Sequence, residues 1–426
     1  MWVAMLSTVR NLLDDVGDAG TSTQHRTEGT ASMATKKITP HGVVRMAMVW
    51  AAVVIMTVGF ALLTTSRGEA ATLSTLHGVA PKGMSALLGV SCAAVTHCVA
   101  VGTAMGSTHS TYIPGATSTA NGGASWSRGT LQGGPNQVVD VSCASKKKCV
   151  GVGFTVSAAG ADAGGAIVTS NGGLSWTGQL LAGADGLLSG VSCPSTTRCV
   201  AVGANIGAPA GESGALVFVS SDGGESWVPG TVPNGTGTLA GVSCPSISVC
   251  LAVGASPPTG ASLPGMDVIY SKDGGSSWTT ATSPGTGELS GISCPNTRDC
   301  VAVGSSTGVA GPPEGLFTTD GGAAWTSATL PHGIGYLLTV TCPSSSECIA
   351  VGTRGNPVGN DVAPAAIYSL DGGRSWSTGK LPGTKASSVN AVACSTVTRC
   401  VAVGSSGGPR NTATTNYTDN GGRTWR

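Results

Sequence analysis

Gly241-Val-Ser-Cys244-Pro-Ser-Ile-Ser-Val-Cys250-Leu-Ala-Val-Gly254, followed by Ser271-Lys-Asp273-Gly-Gly275-Ser-Ser-Trp278, is the stretch on which the reading of this chain turns. Both halves occur seven times. The first returns at Cys92/Cys98, Cys143/Cys149, Cys193/Cys199, Cys244/Cys250, Cys294/Cys300, Cys342/Cys348 and Cys394/Cys400. The second ends in Trp126, Trp176, Trp227, Trp278, Trp325, Trp376 and Trp425. Within the unit quoted, Leu239–Cys244 and Cys250–Gly254 are short apolar runs around a tight turn, which predicts an antiparallel strand pair. Asp267–Ser271 predicts a third strand, and Trp278 opens a fourth that runs to about Thr282. Four strands recurring every ~50 residues are the arithmetic of a propeller blade. The expected fold is therefore all-β: a seven-bladed β-propeller with four-stranded blades.

Composition agrees with that architecture. Charged residues make up 10% of the chain and aromatics 4%, whereas about a quarter of an ordinary domain is charged. Glycine accounts for 66 of 426 residues, roughly twice its usual share, as many short strands and tight turns require. The formal net charge of +1 supplies no field to attract nucleic acid, so no nucleic-acid partner is expected. No phosphate-cradling glycine loop, metal-ligand cluster or Ser/His/Asp arrangement stands out. We expect no cofactor, no metal and no catalytic residue.

Each cysteine pair is spaced C-x5-C across the turn between the first two strands, which puts the sulfurs on facing strands near the hairpin's end. A local disulfide is the natural product. Zinc is the rival, but its ligand pairs are usually spaced by two to four residues, and the six histidines are scattered. Before each tryptophan runs Ser/Thr-x-Asp/Asn-x-Gly-x-Ser/Thr, with Asp222, Asp273, Asp320 and Asp371 in four units and Asn121, Asn171 and Asn420 in three. Ala324 replaces the hydroxyl residue in the fifth. A short side-chain oxygen there can accept turn N–H groups, while the glycines take positive φ at little cost.

This pattern resembles the Asp-box, or BNR, repeat of sialidases and of many non-enzymatic propellers, in which the box is a folding element set away from the active site. The resemblance covers residues 71–426. It extends to seven-bladed photosystem II assembly-factor-like and sortilin-like groups, and to exported actinobacterial proteins with Ser-Cys-Pro-Ser…Cys-Val-Ala-Val-Gly repeats. It implies a bacterial, secreted, WD40/YVTN-like repeat protein that holds a partner. A sialidase would need three arginines converging on one carboxylate, a tyrosine nucleophile assisted by a glutamate, and an aspartate acid. Only Arg354 and Arg410 are free of turns and boxes in the predicted loops.

Residues 1–42 read as a disordered or cytoplasmic leader, or as an over-extended start with translation from Met33 instead of Met1. Residues 43–70 hold an uninterrupted apolar run, Met46 to Leu63, preceded by Lys36, Lys37 and Arg45. It reads as a signal peptide or a signal-anchor helix, and both place the propeller outside the cytoplasmic membrane. Residues 71–426 form the propeller. Its last unit stops at Trp425-Arg426, and Ala71-Thr-Leu-Ser-Thr-Leu76 matches Trp325-Thr-Ser-Ala-Thr-Leu330, so residues 72–76 are expected to close the ring as the missing outer strand.

In such a blade the cysteine turns and Asp-boxes share one face, and the long irregular loops between second and third strands share the other. The residues before the second cysteine, such as Lys148 and Arg198, are expected to be solvated. Varied loops on a repeated scaffold are where binding resides. Tyr336, Arg354, Asp361 and Arg410 are the candidate ligand-binding group there. The expected function is an exported, non-catalytic and monomeric scaffold for a cell-envelope or secreted protein or a glycan. The alternative is a sialidase-like exo-glycoside hydrolase. Small Gly68 and Ala70 mark a cleavage site after Ala70; N-terminal sequencing of the exported product is expected to start at Ala71, and a product retaining Met46–Leu63 would show the run to be an anchor.

Overall fold

The computed structural model describes residues 81–106, 112–156, 162–205, 213–257, 264–282, 285–306, 312–355, 363–383, 387–407 and 411–426. Among these the chain forms seven blades whose antiparallel strands run from an innermost strand outward in sequence order, and the second blade carries a further outer strand, Thr130–Gly133, paired parallel to Ser175–Leu180. The fourth blade shows the plan: Thr238–Ser243, Cys250–Ala255, Met266–Ser271 and Thr279–Thr280. The outer strand is shorter than Trp278–Thr282, because only Thr279 and Thr280 pair with the third strand before one further bond from Ala281 N to Val268 O. The core is not one mass. It is divided into apolar layers between neighbouring blades, including one in which Val401, Val403 and Ala413 of the seventh meet Met84, Leu87 and Ala100 of the first.

A β-bulge in every innermost strand sets the ring. Leu88, Val139, Ser189, Ala240, Ser290, Leu338 and Asn390 are the extra residues. A bulge re-aims its side chain, and here that side chain reaches the next blade. Ser189 donates to Leu239 O at 2.8 Å, Ser290 meets the Tyr336 hydroxyl, and Asn390 donates to Leu87 O at 2.8 Å across the junction of the seventh and first blades. Leu88 and Val139 pack with Phe154 and Leu187. The bulge also explains the glycine that ends each Cys-Val-Ala-Val-Gly run. A Cβ on Gly254 would lie 1.9 Å from Thr238 O, and one on Gly304 2.0 Å from Glu288 O.

All seven cysteine pairs are disulfides, with Cα atoms 4.0 or 4.1 Å apart, and no cysteine is left free for zinc. Loop-closure entropy assigns each roughly 2 kcal/mol. The pairing is the expected one, and the second cysteine of each pair is deeply buried. Cys149, Cys199, Cys300 and Cys348 are each only 1% exposed, and Cys98, Cys250 and Cys400 are buried with them. The reason is their place in the blade. Each lies at the start of the second strand, Cys98 one residue in, and is flanked by the third, where Cys149 pairs with Thr169, Cys199 with Ser220, Cys300 with Thr318 and Cys348 with Ser369. Those partners are the hydroxyl residues that begin the Asp-box turns, so the disulfide hairpin and the tryptophan turn are locked to each other. These sulfurs belong to the apolar layers and offer no contact to a ligand.

The serine before the first cysteine ties blades together. Ser91, Ser142, Ser192, Ser243 and Ser293 each accept the N–H of the following blade's first cysteine at 2.9 or 3.0 Å.

The tryptophan turn is likewise inter-blade. In the fourth blade Asp273 accepts Ser277 N–H at 2.9 Å and the Ser271 hydroxyl at 2.8 Å, and the indole of the buried Trp278 donates to Gly275 O at 2.9 Å. Trp176 is buried in the same way and donates to Gly173 O at 3.2 Å. Gly274 and Gly275 have φ of 71° and 93°. Asparagine serves equally, since the Asn121 amide oxygen accepts Ser125 N–H and its nitrogen donates to Ser125 Oγ. Ala324 still donates its N–H to Asp320 at 3.1 Å, so the missing hydroxyl costs one bond and not the turn. Trp278 N donates back to Thr231 O of the preceding blade's outgoing segment, as Trp376 N does to Thr329 O and Trp425 N to Lys380 O.

The residue before the second cysteine is not simply solvated. Lys148 pairs with Glu225 of the next blade's turn at 2.8 Å. Arg198 donates to Asp273 O, Gly274 O and Ser276 Oγ. Glu347 lies in the field of Arg423, and Val249 shares an apolar cluster with Trp325. The side chain that reaches across the junction is fixed by the next blade's turn, which lies far away in sequence.

Residues 46–63 and 72–76 lie outside the described residues; among those described, no helix is long and apolar enough to cross a membrane. The seventh blade has three described strands and the start of a fourth, where Arg426 exchanges backbone bonds of 2.8 and 3.0 Å with Tyr417. We propose that residues 72–76 continue that strand. Deleting them should lower the thermal midpoint by more than Asn390→Ala, which leaves a buried carbonyl unpaired at a cost of about 1–3 kcal/mol. A deleted protein that melts as a monomer at the original midpoint would refute this closure.

Candidate functional site

The starts of the innermost strands and the ends of the second strands meet on the face that carries the long loops. At the junction of the fifth and sixth blades, these ends bring several polar side chains together. Glu288 opens the innermost strand Glu288–Ser293, opposite Ser305. The bulged Ser290 meets the hydroxyl of Tyr336, which belongs to the next innermost strand, Ile334–Thr341. Tyr336 N donates to Thr353 Oγ1 at 3.0 Å. Arg354 follows, backbone-paired with Ile334 and Ala363, and its side chain is exposed.

Of the four sequence candidates, then, the structure brings Tyr336 and Arg354 to one rim. Tyr336 is only 1% exposed, because the bulge at Ser290 draws its ring between two blades. It supports the rim from beneath and does not present a surface for contact. Asp361 and Arg410 lie outside the described residues.

Sequence reasoning missed Glu288. It is 5% exposed, and burial pushes its carboxyl up to about 7. The same burial, with the Glu288 charge beside it, raises the Tyr336 hydroxyl well above its ordinary value. Two further acids show the same effect. Asp140 accepts Val191 N–H from the next blade at 2.8 Å, and burial lifts it to about 6 against the pull of the Val191 and Val141 N–H groups. Asp267 accepts Gly237 N–H at 2.6 Å and is likewise lifted by burial to about 6. The repeat held a usable signal: Asp140 stands where other units have Gly89, Gly190, Gly241 and Gly291. The Asp-box acids behave oppositely. For Asp273, burial pushes upward, but the Ser277 and Ser271 hydroxyls and turn N–H groups outweigh it and bring the carboxyl to about 2.

Among the described residues no cluster of three or more potential ligands could hold a metal ion. No protein-family model matches the sequence, and no curated protein matches it. Solved structures do. YCF48 from Cyanidioschyzon merolae is 14% identical over 78% of this chain and 96% of its own, with a TM-score of 0.50. YCF48 bound to D1 peptide is 14% identical over 80% and 93%, also at 0.50. A PL25 ulvan lyase bound to -[GlcA(1-4)Rha3S]- is 11% identical over 80% and 96%, at 0.51. Identities this low establish a shared propeller architecture and nothing about the ligand.

The folded protein holds the Glu288 proton more tightly than the unfolded chain does. Its contribution is complete below pH 4.5, falls as pH rises to about 7 and is flat above, a loss of about 3 kcal/mol. Asp140 and Asp267 add losses of the same sign. Urea midpoints measured from pH 4.5 to 8 should fall for the native sequence and fall less for Glu288→Gln, which should be the more stable protein at pH 8. Parallel curves would show that Glu288 is solvated.

Proposed function

We propose that this protein is an exported, non-catalytic binding or assembly scaffold, acting as a monomer on a cell-envelope or secreted protein or a glycan. It is either secreted or held at the cytoplasmic membrane by residues 46–63. Its ligand contacts the loop face through Arg354, Asp361 and Arg410, with Tyr336 as the buried support.

The observation that carries this reading is a division of labour between the two faces. On the disulfide face, Lys148 and Arg198 are engaged by the next blade's turn and Asp273 by its own. On the other face the second strands lead into segments of unlike sequence, and Arg354, at the end of one such strand, stands exposed. Seven disulfides suit an oxidising compartment. The neighbours named above, one bound to a peptide and one to -[GlcA(1-4)Rha3S]-, make a polymeric ligand of either kind reasonable for this architecture.

The hydrolase alternative would draw on Tyr336 and Glu288, which do lie together. A nucleophilic tyrosine needs access and a lowered hydroxyl, whereas Tyr336 is buried, bonded to Ser290 and raised. Retention of native envelope proteins and polysaccharides on the immobilised protein tests the proposal. Arg354→Ala should weaken retention of the bound species by about tenfold, the worth of one charged hydrogen bond. Turnover of a fluorogenic sialoside that Arg354→Ala or Arg410→Ala abolishes would replace the scaffold with a glycosidase.

A further inference from the structure

On the disulfide face the junction between the seventh and first blades differs from those that follow the second and third blades, where Lys148 and Arg198 are engaged. Arg399 precedes the second cysteine there, in the position from which Lys148 reaches Glu225. The residue equivalent to Glu225 in the first blade's turn is Ala124, in Asn121-Gly-Gly-Ala124, which offers a guanidinium nothing to bond. Arg399 is exposed, and its side chain makes no hydrogen bond or ion pair among the described residues. The serine tie is also missing here, since Ala393 stands where the first five blades carry the accepting serine and the sixth carries Thr341.

In place of the bridge there is a cleft of about 200 Å³, lined by Arg399, Arg426, Asp419, Asn121, Tyr417 and Val95, among others. Arg426 is already committed: it pairs with Asp419 at 2.5 Å and stacks on Tyr417 at 4.8 Å. Asp419 is therefore already matched by Arg426, whereas Arg399 has no carboxylate partner among the described residues.

We propose that this cleft binds one acidic sugar unit, a hexuronate. Arg399 takes its carboxylate through a forked pair of N–H donors, the sugar hydroxyls donate to the free lone pairs of Asp419, and Val95 supplies an apolar wall. Size and chemistry select this class. The cleft is smaller than the roughly 300–1,000 Å³ that takes drug-sized ligands, so it accommodates a single ring. An inorganic anion would satisfy Arg399 but bring no donor to Asp419, and a neutral sugar would leave Arg399 unpaired. The site lies on the opposite face from the loop rim and does not depend on the function proposed for that rim.

Calorimetric titration of the full-length protein with D-glucuronate, D-glucose, L-glutamate and sodium sulfate at low ionic strength tests it. Glucuronate should bind, and Arg399→Ala should weaken it at least about tenfold. Ala124→Glu leaves Arg399 in place but gives it the carboxylate that Lys148 has in Glu225, and should abolish binding equally. Circular dichroism and intact disulfides would show that both variants fold. Absence of glucuronate binding, equal binding of glucose, binding of glutamate or sulfate in its stead, or an Ala124→Glu protein that binds as before would each overturn the proposal.

Discussion

The close approach of the second strand to the bulge in the innermost strand is the constraint on which the ring depends. In Gly254 and its equivalents a side chain would collide with an inner-strand carbonyl, at 1.9 Å in that case. Glycine permits the bulge, and the bulge turns one side chain per blade toward its neighbour. Ser189, Ser290 and Asn390 then bond to the next blade, and Leu88 and Val139 pack against it. The repeated Val-Gly pair is thus a device for joining blades, although it lies wholly inside one.

This arrangement compensates for a core poor in aromatic side chains. Apolar layers between blades supply the bulk of the burial. Serine acceptors, tryptophan N–H groups and the residues before the second cysteine add directional bonds at the same junctions. Disulfides act within single hairpins. They stiffen each blade's turn without joining one blade to another, so among the described residues the ring is held by packing, hydrogen bonds and the Lys148–Glu225 ion pair. Repeats in series resemble a one-dimensional array in which each unit relies on its neighbours, and the seam between the seventh and first blades is where that array must close.

The two faces differ because their bonds are used differently. Asp-box carboxylates have a full set of donors and are held low, Asp273 at about 2. Glu288 is buried and Asp140 and Asp267 are partly buried, and with fewer donors all three are held high. The first group is spent on turns, whereas the second sits where the repeat departs from itself, as functional sites commonly do. Arg354 on one face and Arg399 on the other are both exposed, and among the described residues neither side chain has a hydrogen-bond or ion-pair partner.

Blade number, strand order, the disulfide hairpins and the tryptophan turns could be read from the sequence alone. Each is encoded within a short stretch: Cys244 and Cys250 are 6 positions apart in sequence, and Asp273 and Ser277 are 4 apart. The depth of the second cysteines could not, because Cys149, Cys199, Cys300 and Cys348 are covered by the third strand and the adjoining blade. Contacts between blades were equally illegible. Asp140 meets Val191 across 51 residues, and Asn390 meets Leu87 across 303. Tyr336, which composition marks as a loop-face contact, is drawn inside by a bulge in the preceding blade. Lys148 and Arg399 occupy equivalent sequence positions, yet one is bridged and the other is free, because the turn opposite carries Glu225 in one case and Ala124 in the other. Local periodicity sets which strands form; only the folded ring brings distant positions together and so decides which polar groups are paired.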